Sequence, residues 1–430
     1  MAITGRFVLL ALAGLIPLLL FPAAATIFLW LLLLAVVLAL DLVLAASART
    51  VVLRRTLPDS VRLGESTSSV LTIANGSRRR MRALVREAWQ PSANALNPRQ
   101  RVLIPPGERS RITVRLRPTR RGDLHTPHTT IRSYGPLGMA ARQLTIAAPG
   151  RLRVLPPFNS KRHLPSRLRK LRELDGRAAV QIRGAGTEFD SLRDYVRGDD
   201  VRSIDWRATA RRQGVVVRTW RPERDRRVVI LLDTSRTSAA RIEDEPRLDT
   251  GIEAALLLAV LAERGGDRVD FLAFDRRIRV QAGSTTKGNL LGALVQAMAP
   301  LRSELIEMDW QQIPGRIRAV SAHRSLVVLL TALDSGAAEE GLLPMLAQLA
   351  PDHVVVVAAV RDPLLGRLRA ERTTASDVYR AAAAERALLD REALTALIRT
   401  LGVEVVDEDP HELPPRLADM YIRLKAAGRL

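Results

Sequence analysis

The sequence predicts an α/β protein in three structural parts: an N-terminal transmembrane helical hairpin, a β-sandwich, and a doubly wound, mostly parallel sheet. Three observations carry that expectation. No charged residue lies between Arg6 and Asp41, residues 48–157 are short β-rich runs broken by turn residues, and apolar strands alternate with helical patterns from about residue 223 onward. At 430 residues and 47% hydrophobic content, the chain can give each part its own core.

A single straight helix over the N-terminal apolar stretch would rise about 50 Å, against a hydrocarbon core of about 30 Å. Two spans fit, roughly residues 7–20 and 27–44, if the chain reverses near Pro22, Ala23, Ala24, Ala25 and Thr26. This is a hairpin within residues 1–47. A cleaved secretory signal fits less well, because a second apolar run follows the first. Arg6 precedes the first span, Arg49, Arg54 and Arg55 follow the second, and the turn between them carries no Lys or Arg. The positive-inside rule then places the hairpin in the inner (cytoplasmic) membrane, with both termini and the large domains in the cytoplasm. Asp41 would cost about 3 kcal/mol at mid-membrane but less near the interface, where it is expected to snorkel.

Residues 48–157 include TVVLRRTL, SSVLTIANGS, SRITVRLRP and RLRVL, separated by turns such as NGS, PPGE and YGPLG. The spacing argues for an antiparallel sandwich, immunoglobulin-like in general form. The chain has no cysteine, which excludes disulfides, thiolate metal sites and a cysteine nucleophile. His125 and His128 flank Pro127 with no third ligand evident, so they read as a surface strand.

Residues 158–222 form a basic connector followed by a charged motif, GAGTEFDSLRDYVRGDDVRSIDWRATAR, from Gly184 to Arg211. Its acids (Glu188, Asp190, Asp194, Asp199, Asp200, Asp205) nearly balance its arginines, in a chain of net charge +21. That contrast points to local pairing. Phe189, Leu192 and Val196 have helical spacing, with Gly198 as a stop and a second short helix starting at Asp199 or Asp200. Two readings stand: a brace of salt bridges and caps between domains, or a docking or acid/base site. Burial of Asp205 and Trp206 against the sheet would favour the brace; Asp199 and Asp200 lining an open cleft would favour a carboxylate hydrolase.

Residues 223–430 hold RRVVILLD, RVDFLAFD, SLVVLLTAL, HVVVVAAV and VEVVDED as strands between helices. Such continuous apolar strands are buried on both faces of a parallel sheet. Ligands bind such sheets at the strands' carboxyl ends, and the first strand ends in Asp233, Thr234, Ser235, Arg236, Thr237. Asp233, Ser235 and Thr237 form a DxSxT loop, a set of hard oxygen donors for Mg2+ or a similar divalent cation. This resembles the metal-ion-dependent adhesion site of von Willebrand factor type A domains. That site adds a threonine from a later loop, here Thr285 or Thr286, and an aspartate after a central strand. The position of that aspartate is Ala332, and the nearest acid is Asp334. No phosphate loop, HExxH, GxSxG or zinc-ligand spacing occurs, so no catalytic motif is found.

The whole chain resembles the bacterial domain-of-unknown-function 58 family. The residues that carry this are Gly184, Gly186, Glu188, Phe189, Leu192, Arg193, Tyr195, Gly198, Asp199, Asp200, Arg202, Ile204, Asp205, Trp206, Ala210 and Arg211, with GDRVDFLAF (266–274), SDVYRAAAAE (376–385) and YIRLKAAG (421–428). The resemblance implies a membrane-anchored interaction or scaffold protein with a von Willebrand A-like domain and no known enzymatic activity. It also implies two partners, a MoxR-type AAA+ ATPase and a transglutaminase-like membrane protein. The alternative is a basic nucleic-acid or anionic-lipid binder using the arginines of residues 161–183 and 207–227. An aromatic content of 4% argues against stacking on single-stranded nucleic acid. A carboxylate-based hydrolase is the lesser alternative.

Overall fold

The apolar N-terminus folds as a short strand β1 (Ala2–Ile3) and three helices, α1 (Gly5–Ala13), α2 (Leu15–Leu20) and α3 (Ala24–Leu44). The computed structural model describes residues 2–181, 188–212, 214–221, 226–283, 289–333 and 338–430. The chain divides into two compact units, Met1–Pro157 and Phe158–Leu430. Helix α3 is long and apolar enough to cross a membrane; the stretch Gly5–Leu20 is shorter and is interrupted at Gly14. A Cβ at Gly14 would collide with the indole of Trp30, so the two segments approach closely where only glycine fits.

Asp41 does not snorkel. It is fully buried, and its carboxylate accepts the N–H groups of Leu137 (2.8 Å), Met139 (2.7 Å) and Ala140 (2.8 Å). Successive N–H groups converging on one carboxylate form an anion nest, which satisfies the charge without water. The same loop takes Thr4: its hydroxyl donates to the carbonyls of Gly138 (2.7 Å) and Met139 (3.0 Å).

The rest of the first unit is a sandwich of nine further strands: β2 (Val51–Thr56), β3 (Ser60–Arg62), β4 (Thr67–Asn75), β5 (Met81–Glu87), β6 (Ala95–Leu96), β7 (Arg99–Ile104), β8 (Arg109–Leu116), β9 (Gly122–Tyr134) and β10 (Ala140–Leu155). One sheet has the order β1-β10-β9-β5-β7 with β3 on β10, the other β2-β4-β8-β6. Strand β4 alternates buried and half-buried residues along its length, the period of two that points one face inward. Leu71, Ile73 and Ile112 from one sheet meet Met81, Val85 and Ile131 from the other. His125 and His128 lie on β9, exposed and half-buried.

In the second unit, α4 (Leu164–Gln181) precedes a small two-stranded element, β11 (Glu188–Asp194) and β12 (Val216–Arg221), with α5 (Trp206–Arg212) between them. There follow β13 (Arg227–Asp233), the short pair β14 (Arg241–Ile242) and β15 (Glu245–Pro246), α6 (Arg247–Arg264), β16 (Arg268–Phe274), β17 (Ile278–Gly283), α7 (Leu290–Met298), α8 (Ile313–Val320) and β18 (Leu326–Leu330). Last come α9 (Leu343–Leu349), β19 (Val354–Val360), α10 (Pro363–Ala370), α11 (Ala375–Thr400), β20 (Glu404–Glu408) and α12 (Leu413–Ala426). The main sheet has the order β17-β16-β13-β18-β19-β20, with β17 antiparallel at one edge and the rest parallel. The chain runs outward in one direction from β13 and then returns to the other side at β18. The topological switch lies between these two strands.

Helices α8, α9 and α11 share a core with one face of the sheet through Ile317, Leu346 and Leu394. Helices α6 and α12 pack together, and here residues 266–274 and 421–428 meet. Asp267 accepts Tyr421 Oη (2.6 Å) and Lys425 Nζ (2.9 Å), and Lys425 also donates to the carbonyl of Gly265 (2.6 Å). All three side chains are buried, so the pair is hydrogen-bonded as a buried charge must be.

Candidate functional site

The charged motif folds differently from its helical spacing. Residues 188–194 are the strand β11, paired antiparallel with β12 from Glu188↔Arg221 to Asp194↔Val216. Pairing with a strand distant in sequence overrides the local helical pattern, and Gly198 serves at a turn with φ of +116° that a side chain would strain. A short 3-10 helix, Val201–Ser203, starts where expected, capped by Asp200, and an α-helix follows from Trp206, capped by Asp205, which accepts the N–H groups of Arg207 and Ala208 (both 3.0 Å).

Among the described residues the expected pairing within the motif is made by one of its five arginines, Arg193. Arg193 grips Asp199 with two bonds of 2.6 and 2.7 Å, and Asp199 also accepts Val196 N–H (2.9 Å). Arg218 donates to Asp205 (2.8 Å), and Asp200 accepts the N–H of Arg202 (3.0 Å). The Arg193 guanidinium and then the Val196 N–H hold the Asp199 carboxyl below its ordinary range. The Ala208 N–H and then Arg218 do the same for Asp205. These are carboxylates kept ionised, the opposite of a general acid. The side chain of Glu188 lies outside the described residues.

The brace expectation for Trp206 is not met. Trp206 is 68% exposed, with Val201 at 64%, Val196 at 62% and Tyr195 also exposed. Tyr195 N–H bonds the carbonyl of Val215 (2.8 Å), and Asp205 N–H that of Val216 (2.9 Å), so these apolar residues gather at one end of the β11–β12 pair. Arg197, Arg202, Arg207 and Arg211 are exposed beside them and have no ion pair among the described residues. Exposed apolar side chains and exposed guanidiniums thus lie side by side here.

The second candidate region is the switch point. Asp233 ends β13 fully buried. One carboxylate oxygen accepts Ser235 N–H (2.7 Å), and the other accepts the hydroxyls of Thr331 (2.7 Å) and Thr237 (3.2 Å). Ser235 and Thr237 hydroxyls lie 3.2 Å apart. Burial raises the Asp233 pKa, opposed by the bonds from Ser235, Thr331 and Thr237. Next to it, Thr234 donates to Asp275 (2.9 Å), which Arg279 also holds. Burial pushes the Asp275 carboxyl up, but the bonds from Arg279, Thr234 and the N–H groups of Arg276 and Arg277 outweigh it and leave it lowered.

A cavity of about 20 Å³ adjoins Asp233, bordered by Thr331, Ala332, Ser238 and Arg247, room for about one water. The described oxygen donors at this point are one carboxylate and three hydroxyls, already bonded to one another; Ala332 offers none, and Arg247 borders the same cavity. No group of three or more His, Cys, Asp or Glu with metal-binding geometry occurs among the described residues. Thr285 and Asp334, expected as further ligands, lie outside the described residues. Thr331 was missed in the sequence. Its signal is its place as the first residue after a buried strand, but only the sheet order puts that strand beside β13.

The site thus belongs to an α/β protein with one N-terminal helix long and apolar enough to cross a membrane. Residues 191–371 match the family described as "Protein of unknown function DUF58", which supports the kinship drawn from the motif. No curated protein matches the chain. Among solved structures, native Escherichia coli alpha-2-macroglobulin is similar over 25% of this chain at 16% identity and a TM-score of 0.20, and the chain spans 7% of its length. An ASH/PapD-like domain of human CEP192 is similar over 24% of this chain and 83% of its own, at 14% identity and a TM-score of 0.18. A CARDB domain from Pyrococcus furiosus, solved with di-metal ions, covers 24% of this chain and 91% of its own, at 15% identity and a TM-score of 0.19.

Proposed function

We propose that this chain is a membrane-anchored docking protein whose second unit receives a protein partner through the tip of the β11–β12 element. The observation that carries the reading is the exposure of Trp206, Val201 and Val196 beside four arginines that have no ion pair among the described residues. A side chain the size of Trp206 left in water contributes nothing to the core, and covering it on docking would release water from apolar surface. The arginines select a partner with an acidic face and speed its approach. By family resemblance that partner is a MoxR-type AAA+ ATPase, with a transglutaminase-like membrane protein alongside.

The finer architecture follows the same reading. The loop that holds both Thr4 and Asp41 supports a two-pass anchor with its ends on one side of the membrane, and the flanking arginines put that side in the cytoplasm. A doubly wound sheet with DxSxT after its first strand supports a von Willebrand A-like domain. In this chain the loop is latched by Thr331 and Thr237. The motif carboxylates serve caps and ion pairs, which favours docking over hydrolysis.

The test is crosslinking and pull-down from membranes, with and without ATP and Mg2+, comparing wild type with Trp206→Ala. Recovery of an AAA+ ATPase with wild type and its loss with the variant, at unchanged melting temperature, is the expected outcome. Equal recovery by both sinks the proposal.

A further inference from the structure

The main sheet of the second unit stops at β20, which pairs with β19 alone. The N–H of Arg361 bonds the carbonyl of Glu408 at 2.9 Å, so Glu408 faces β19. By the alternation of a parallel ladder, Val405 and Asp407 then direct their N–H and C=O groups outward. No group among the described residues pairs with them.

Open edges in native sheets are normally covered, bulged or blocked by charge. Here the edge is the floor of a trough of about 580 Å³ walled by α11 and α12, a volume typical of built binding sites. Arg391 on α11 is committed to Asp407 at 2.6 and 2.7 Å. Arg399, further along α11, and Arg423 on α12 have no carboxylate partner among the described residues; Arg423 reaches only the sulfur of Met420 at 2.8 Å, a weak acceptor. Two guanidiniums thus stand on opposite walls of one unpaired strand edge; of the acids on those walls, Asp419 is held by Arg167 (2.7 Å) and Glu392 lies a turn or more from Arg399 along α11.

We propose that this trough is a strand-addition site for an extended acidic peptide of a partner protein. The peptide's main chain pairs with Val405 and Asp407, and its carboxylates meet Arg399 on one wall and Arg423 on the other. Successive side chains of a strand point to opposite faces, so the site reads two adjacent acidic residues rather than an alternating pattern. Main-chain pairing supplies affinity for any extended segment; the arginines select the acidic one.

The experiment uses the full chain in detergent and a fluorescein-labelled peptide, Thr-Val-Glu-Glu-Val-Thr, followed by fluorescence anisotropy. Saturable binding is expected. It should weaken about tenfold in Arg399→Glu/Arg423→Glu, and comparably for the peptide with its backbone N-methylated at alternate residues. Both arginines are exposed, so the variant keeps its melting temperature. Undiminished binding of the methylated peptide overturns strand addition, undiminished binding by the double variant overturns the arginine selection, and no binding of the parent peptide overturns the site. Trp206→Ala should leave this binding intact, which separates it from docking at the β11–β12 tip.

Discussion

Replacing Asp233 by Asn and by Ala distinguishes a latch from a metal site. In Asp233→Ala, the N–H of Ser235 and the hydroxyl of Thr331 lose an acceptor at 2.7 Å in a buried setting. Each stranded group costs about 1–3 kcal/mol, so a total of about 3 kcal/mol is expected. For a unit of this size that is a fall of roughly 6–12 °C in melting temperature. Asp233→Asn keeps an acceptor for Ser235 and a polar atom for Thr331 while removing a buried charge, so it should stay within about 1 kcal/mol of wild type.

The pH dependence has a definite sign. Burial raises the native pKa of Asp233, so the native state keeps a proton that the unfolded chain loses from about pH 4 upward. Wild type therefore loses stability relative to Asp233→Asn as pH rises from there to the native pKa, and the gap is level above it. Thermal melts of the three proteins across pH, with and without Mg2+, read all of this. If millimolar Mg2+ raises the melting temperature of wild type but not of Asp233→Asn, Asp233 is an ionised metal ligand and the latch reasoning fails.

Two other buried carboxylates make similar predictions. Lys425→Met leaves Asp267 charged and without its cation, which should cost about 3–5 kcal/mol, and the double variant Asp267→Asn/Lys425→Met should recover part of it in denaturant unfolding. Asp41→Ala orphans three loop N–H groups and should expose residues 135–140 to limited proteolysis and cost about 2–4 kcal/mol. Asp41→Asn should give a milder effect.

The features legible in the sequence are those written in local pattern. The apolar stretch, the period of two in β4, the continuous apolar run of β13 and the acid at its end all follow from side-chain chemistry over a few neighbouring residues. The strand β11 was not legible, because Phe189, Leu192 and Val196 fit a helical spacing equally well until β12 pairs with residues 188–194. Nor was the exposure of Trp206, since a tryptophan in a charged motif reads the same whether it braces a core or waits for a partner.

By itself, then, the sequence determined most of the segments that become strand and helix, the apolar N-terminal stretch long enough to cross a membrane, and which carboxylate ends the first buried strand. Only the tertiary structure decided what those carboxylates bond: Asp41 to a loop 96 to 99 residues away, Asp233 to Thr331 at a separation of 98, and Asp267 to Lys425 at 158. Hydrogen bonds and ion pairs at such separations depend on strand order and helix docking, which local periodicity does not encode. The open edge of β20 has the same origin, because a strand's place at the end of a sheet is a property of the whole sheet and not of its five residues.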